Sequence, residues 1–371
     1  MRRIKGFDGL RAIAVTSVFA GHMRPLGVPL SAVAVYFFFV LSGFLITGIL
    51  TDQRKSIEER QVRATSEIRS FYFRRSLRIF PIYYLTLFLY ALWIVIDSGQ
   101  RLPGMLSYVF YYSNIWMLHQ NDCNYLLCHF WSLAVEEQFY VFLAPLLIFS
   151  ALALHLRVML GVFILGTLSL LLAPLFGLTP HAQYWLSTTN FAMLAAGGVM
   201  SVLCRRRPTF NISTGAAIAA TIVVVAFIAG SEPLRSRVPI LYYPFFWIAI
   251  ISITAMVTWI THHQESNLVR LLEWQPIRYL GVVSYGFYLI HPATIHIYRA
   301  WITWPAIVSS TLPKDGLAAI NALGCFGLTF LISHLSWKFF EKPILRLRDS
   351  GQSSLSVETI NLEEPPRAVN P

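Results

Sequence analysis

The sequence predicts an all-α, polytopic membrane protein, on three observations. Of 371 residues, 56% are hydrophobic and only 13% charged, where soluble domains carry about 25% charged residues. Mean hydropathy is +0.58, and apolar runs long enough for a hydrocarbon core of roughly 30 Å recur along the chain. Lys and Arg gather in alternate connections, the mark of a positive-inside topology.

Ten spans follow in order: 9–26, 31–51, 79–97, 133–154, 158–176, 187–204, 212–230, 239–260, 280–301 and 316–339. The first follows Met1-Arg2-Arg3-Ile4-Lys5. No small-residue cleavage site comes after it, so it reads as a retained anchor. The second holds Ser42 and Gly43-x-x-x-Thr47, a small-residue pattern that more often means close helix packing than catalysis. Pro81 falls in the first turns of the third. The aromatic stretch 104–118 is too short to cross and reads as an interfacial or re-entrant piece. Residues 1–345 form one membrane domain. Residues 346–371 are polar and Pro-containing and read as a disordered cytoplasmic tail.

The connection 52–78 holds Arg54, Lys55, Arg60, Arg63, Arg69, Arg74, Arg75 and Arg78, and Arg205, Arg206 and Arg207 follow the sixth span. Ten alternating spans put these residues and both basic termini on one side, so both termini are expected in the cytoplasm. The same rule accounts for the net charge of +11. No aromatic-and-basic module for nucleic acid is visible. Cys123 and Cys128 share an outer connection, where a disulfide would persist; two unpaired thiols fit equally well. Cys204 and Cys325 make no metal pattern, and no metal is expected. The Walker loop, GxSxG elbow, HExxH and CxxC are all missing, which counts against a nucleotide-driven pump, a serine hydrolase and a zinc enzyme.

Ionisable groups in a bilayer are costly and tend to mark a site or a pathway. Arg11 and His22 lie at opposite ends of the first span. Eleven residues is nearly a whole number of turns, so the two share a face about 16 Å apart. Asp8 is one turn before Arg11 and can pair with it. A snorkelling arginine and an interfacial histidine are the plain alternatives. Arg74, Arg75 and Arg78 precede the third span and can bind phosphates or lipid headgroups. Arg74 and Arg78 are expected to share a face. Glu136 and Glu137 enter the fourth span from outside, and Ser132, Glu136 and Tyr140 share a face at i, i+4, i+8. In the ninth span Ser284, Tyr288 and His291 form a polar stripe, which could equally hydrogen-bond neighbouring helices. Trp337, Lys338 and Lys342 read as interface anchors, and His262-His263 as a solvated pair in a connection.

Together these segments resemble the acyltransferase-3 family of membrane acyltransferases, which includes bacterial O-acetyltransferases of lipopolysaccharide, exopolysaccharide and Nod-factor sugars. The resemblance rests on FDGLRAIAVTSVFAGH, with its Arg-x10-His spacing, and on FFFVLSGFLI, FYFRRSLRIFPIYYL, FWSLAVEEQFY, SYGFYLIHP and FFEKP. It implies ten core helices in the bacterial inner membrane, an acyl-CoA donor (acetyl by default, or succinyl) and a cell-surface or lipid-linked glycan acceptor. It also makes His22 essential. Larger members carry a further soluble domain, so this chain is expected to resemble the stand-alone members. Membrane lipid is the other expected partner, and an oligomer is compatible with all of this.

The expected chemistry follows from these placements. Arg74, Arg75 and Arg78, with Arg11, hold the CoA phosphates. His22, oriented by a carboxylate such as Glu136, deprotonates a sugar hydroxyl, with Ser42, Glu137, Tyr288 or His291 in supporting positions. A covalent acyl-histidine is the competing version. Polar residues at several depths also fit a glycan transporter or flippase.

Overall fold

The computed structural model describes residues 3–23, 30–60, 62–207, 209–237, 242–301 and 314–347. Every regular element among them is helical. In chain order they are α1 (Phe7–Met23), α2 (Leu30–Arg60), α3 (Ala64–Ser98), α4 (Met105–Val109), α5 (Ser113–Gln120), α6 (Phe130–Phe149), α7 (His155–Leu172), α8 (Pro180–Trp185), α9 (Ser187–Arg206), α10 (Thr214–Arg237), α11 (Tyr242–His262), α12 (Asn267–Leu272), α13 (Gln275–Val282), α14 (Ser284–Trp301) and α15 (Lys314–Ser336). Six described helical segments are long and apolar enough to cross a membrane: Leu30–Arg60, Ala64–Ser98, Phe130–Phe149, Leu152–Phe176, Ser187–Arg206 and Ala318–Leu347. The other four expected spans fall on α1, α10, α11 and α14.

The centre of the bundle is α2. Its apolar window is 78% buried, whereas that of the Leu152–Phe176 segment is only 22% buried and turns most of its surface outward. Lipid tails are as apolar as leucine, so helices in a bilayer are held by close packing and polar contacts. Both are present around α2. A Cβ on Gly43 would collide with the Leu194 carbonyl, and one on Gly197 with the Val40 carbonyl. The backbones of α2 and α9 therefore touch, as the small-residue pattern predicts. Arg205 of α9 pairs with Asp52 of α2 at 2.9 Å. Thr51 meets His155 Nδ1 at 3.1 Å, and His155 Nε2 reaches the Leu147 carbonyl at 2.9 Å.

Three expected boundaries are corrected. The basic stretch 52–78 is not a loop: α2 continues to Arg60 and α3 begins at Ala64. Hydropathy misses these extensions because their surfaces are charged. The i,i+4 pairs Arg54–Glu58 (2.9 Å) and Lys55–Glu59 (3.6 Å) support the first. The second is tied down by Gln53, which donates to the Glu67 carbonyl (3.0 Å) and carboxylate (2.7 Å). Pro81 is thus inside α3 rather than near its start. The span 280–301 is broken at Val283, which separates α13 from α14. His262 and His263 do not stand free in solvent. His262 Nε2 is 3.4 Å from Cys204 Sγ, and His263 stacks on Trp259 at 4.5 Å.

The 104–118 stretch forms the short helices α4 and α5. Cys123 and Cys128 are joined by a disulfide. Past residue 345 the helix reaches Leu347, and the rest of the expected tail lies outside the described residues.

Candidate active site

Two groups of the expected residues share one wall. The first surrounds a cavity of about 110 Å³ between α1, α2, α3, α6 and α14. Arg11, Ser42, Arg75, Arg78, Glu136 and Tyr288 line it, and so do Ser132, Tyr140 and Tyr285. The i, i+4, i+8 face of α6 therefore points inward as its spacing predicts. Arg75 lies over the Tyr140 ring, 5.2 Å from its centroid, and the Tyr140 hydroxyl hydrogen-bonds Ser42.

Arg11 is held from behind. Asp8 Oδ1 accepts from its Nη1 at 2.8 Å, while Asp8 Oδ2 pairs with Arg3 at 3.2 Å. Arg3 also pairs with Glu273 at 2.8 Å. Glu273 sits between α12 and α13, and glycines let both helices close on α1: a Cβ on Gly9 would overlap the Leu272 carbonyl, and one on Gly281 the Asp8 carbonyl.

Arg74, Asp8 and Glu137 are not part of the cavity lining. Of the three arginines expected to act together, Arg75 and Arg78 line the cavity and Arg74 does not. Both spacings, i,i+3 and i,i+4, keep two residues on one helix face. The position of α3 against α6 selects which pair meets the cavity. Adjacent residues on a helix diverge by about 100°, so Glu137 leaves the lining as Glu136 joins it.

The second group lies beyond the wall formed by Ser132 and Tyr288, whose hydroxyls are 2.8 Å apart. Both hydroxyls also reach the His129 carbonyl, at 3.1 and 3.2 Å. One turn along α14 from Tyr288, His291 is fully buried, and its Nε2 lies 3.0 Å from His22 Nδ1. Arg11 and His22 thus both face α14, one near its start and the other at His291.

The carboxylate partner expected for His22 is corrected. Glu136 faces the arginine cavity, and the ring that meets His22 belongs to His291.

Pro292 explains why His291 is so placed. Proline has no N–H, so the carbonyl four residues earlier, on Tyr288, loses its helical donor. His291 Nδ1 takes that place at 2.6 Å. A carbonyl only accepts, so Nδ1 of His291 carries the proton. In the neutral pair its Nε2 then accepts, and His22 Nδ1 donates. That leaves the lone pair of His22 on Nε2, the nitrogen turned away from the relay. Arg299, two turns further along α14, donates to the His22 and Met23 carbonyls at 3.2 and 2.8 Å. It satisfies the open carbonyls at the end of α1 and holds His22 there.

Sequence reasoning missed His129, Arg299 and Glu341. His129 opens the α6 motif, is buried, and donates from Nε2 to the Leu289 carbonyl at 3.2 Å. Its ring is 5.3 Å from that of His291. A histidine one turn before Ser132 was the available signal. Glu341, in the closing FFEKP motif, is buried against Gly286 and accepts from Ser336 at 2.9 Å. Among the described residues no group of three or more His, Cys, Asp or Glu side chains is placed to hold a metal ion.

A helical membrane body, an arginine-lined cavity and a hydrogen-bonded histidine pair behind one shared wall define a class of polytopic membrane protein with an internal polar site. The chain belongs to the acyltransferase domain family Acyl_transf_3, which it matches over residues 4–339. It is 28% identical over 368 residues (92% of this chain, 56% of the relative) to the peptidoglycan O-acetyltransferase OatA of Listeria monocytogenes. It is 29% identical over 389 residues (96% and 56%) to the "Putative peptidoglycan O-acetyltransferase YrhL" of Bacillus subtilis. A third relative, 26% identical over 373 residues (92% and 57%), is the "Putative O-acetyltransferase SACOL0978" of Staphylococcus aureus. The chain spans little more than half the length of these relatives. No solved structure matches it.

Proposed function

We propose that this protein is a membrane O-acyltransferase that moves an acyl group, acetyl by default, from cytoplasmic acyl-CoA to a hydroxyl of a cell-wall glycan. In this reading it sits in the bacterial inner membrane with ten crossing helices and both termini in the cytoplasm. The names of its relatives favour peptidoglycan as the acceptor. The observation that carries the reading is the His22–His291–Tyr288 carbonyl relay, one wall away from a cavity lined by three arginines.

The residues divide the work by chemistry. Arg11, Arg75 and Arg78 supply positive charge for an anionic donor. A cavity of about 110 Å³ is far below the ~300–1,000 Å³ of sites that enclose whole cofactors. The donor's nucleotide therefore stays outside while its thioester arm enters. His22 Nε2 takes the proton of the sugar hydroxyl as the oxygen attacks the acyl carbonyl. The new C–O bond forms, the C–S bond breaks, and the proton passes from His22 to the departing sulfur. His291, accepting from Nδ1–H, stabilises the imidazolium that forms between these steps. The Tyr288 hydroxyl, on the wall between cavity and histidines, can donate to the developing oxyanion once it turns from Ser132 and the His129 carbonyl, a movement that also opens the wall between the thioester and His22.

The test uses purified protein in lipid nanodiscs, acyl-labelled acetyl-CoA and a peptidoglycan fragment. Label is expected in the sugar with the parent protein, and none with His22→Ala at an unchanged melting temperature. Transfer at the parent rate by His22→Ala would remove the base assignment. No labelled sugar from the parent protein would remove the proposed reaction.

A further inference from the structure

The mechanism above leaves an aromatic cluster unused. Tyr125 lies between Cys123 and Cys128, so the disulfide closes a small ring of backbone around it. Its ring centroid is 4.8 Å from that of His296 on α14, and its hydroxyl is 3.4 Å from His296 Nε2. Trp93 of α3 packs against the same imidazole, edge to face, at 5.7 Å and 76°. The disulfide loop and α3 thus both converge on His296 of α14. Tyr125 is still 53% exposed: His296 backs its ring at a tilt of 39°, and more than half of the residue stays open.

Interfacial Trp and Tyr often serve as membrane anchors, but two features set this cluster apart. An anchor needs neither a backing imidazole nor a disulfide-closed loop. The surroundings of Tyr125 are also charged: Asp97 is one helical turn beyond Trp93 on the same face of α3, and burial, then the Asp97 carboxylate, raises the Tyr125 phenol pKa. A carboxylate one turn from the cluster is poorly suited to lipid tails. It suits a ligand with apolar faces and a rim of hydroxyls.

The platform is also close to the histidine pair. Arg299, which holds the His22 carbonyl, is one turn beyond His296, about 5–6 Å between Cβ atoms at that spacing. His291 is five residues before His296, roughly 7.5 Å along the helix axis and about 140° around it; the Tyr125–His129 segment bridges the two, with the His129 ring 5.3 Å from that of His291. Both separations are within the length of a short oligosaccharide.

We infer that Trp93, Tyr125 and His296 form an acceptor subsite, in which one pyranose ring of a glycan stacks on the open face of Tyr125 while Asp97 accepts from its hydroxyls. A gluco-configured sugar presents axial C–H bonds on both ring faces, and these meet the electron-rich face of an aromatic ring. The disulfide and His296 hold that face in place before the ligand arrives, which lowers the ordering cost of binding. The choice of a glycan rests on the proposed function; the binding itself does not depend on catalysis.

The probe is chitotetraose, titrated into the full chain in nanodiscs and followed by saturation-transfer NMR. The parent protein is expected to bind it saturably. Tyr125→Ala should weaken binding at least tenfold, and so should Tyr125→Leu, which keeps apolar bulk without the aromatic face. Tyr125→Phe should stay within threefold. His22→Ala should bind like the parent while transferring nothing. In turnover, Tyr125→Leu should raise the acceptor KM and leave the acyl-CoA KM unchanged. Equal binding by the parent and Tyr125→Leu, or no saturable binding by the parent, would overturn the subsite. Binding that needs Tyr125, in a protein that transfers no acyl group, would instead overturn the proposed function and leave the subsite standing.

Discussion

Replacing His291 by alanine should separate a positioning histidine from a merely buried one. Its Nε2 is the acceptor for His22 Nδ1 at 3.0 Å, and its own Nδ1 is fixed on the Tyr288 carbonyl at 2.6 Å. Removing the ring takes the partner from His22 at the moment that imidazole becomes charged. A hydrogen bond to a charged group is worth about 1.5–3 kcal/mol, so kcat should fall about 10- to 150-fold. The acyl-CoA KM should change little, because His291 is not part of the arginine cavity lining. His291→Gln offers a carbonyl oxygen to the same Nδ1–H and should recover at least tenfold over alanine. The assay is acceptor-dependent release of CoA thiol, followed with a thiol-reactive dye in nanodiscs. His291 is fully buried, so rates are compared per folded protein, with melting temperature as the control. A His291→Ala kcat within threefold of the parent, or equal losses for alanine and glutamine, would refute the relay.

Arg75→Ala and Arg78→Ala should each raise the acyl-CoA KM about tenfold or more, from the loss of a charged hydrogen bond. Arg74→Ala, outside the lining, should change it less than about threefold by the same reasoning. Steady-state kinetics over a range of acyl-CoA concentrations checks all three, and equal effects would return the arginines to a purely topological role. Gly43→Val forces a side chain into the Leu194 carbonyl and should destabilise the α2–α9 pair by about 1–3 kcal/mol, read as a lower melting temperature. Gly281→Ala should push Asp8 away and raise the acyl-CoA KM through Arg11, measurable in the same titration.

Much of the fold was legible because hydropathy and helical period act locally. The shared face of Arg11 and His22, and that of Ser132, Glu136 and Tyr140, follow from residue spacing alone. Each turns toward the site in the structure. The helical extensions at 52–78 were not legible: a charged helix surface and a charged loop have similar composition, and only tertiary contacts such as Gln53 to Glu67 distinguish them. The cysteines left two outcomes open, and the approach of their backbones decided for a disulfide.

By itself the sequence determined that the chain is helical and membrane-embedded, and which residues share a face of one helix. It could not determine partners, because period fixes direction around one axis and says nothing of the helix opposite. Only the tertiary structure set His291 rather than Glu136 against His22, chose Arg75 over Arg74 for the cavity, and gathered Trp93, Tyr125 and His296. Those meetings depend on where glycine lets two backbones close and where proline frees a carbonyl, and both take effect only once the helices pack.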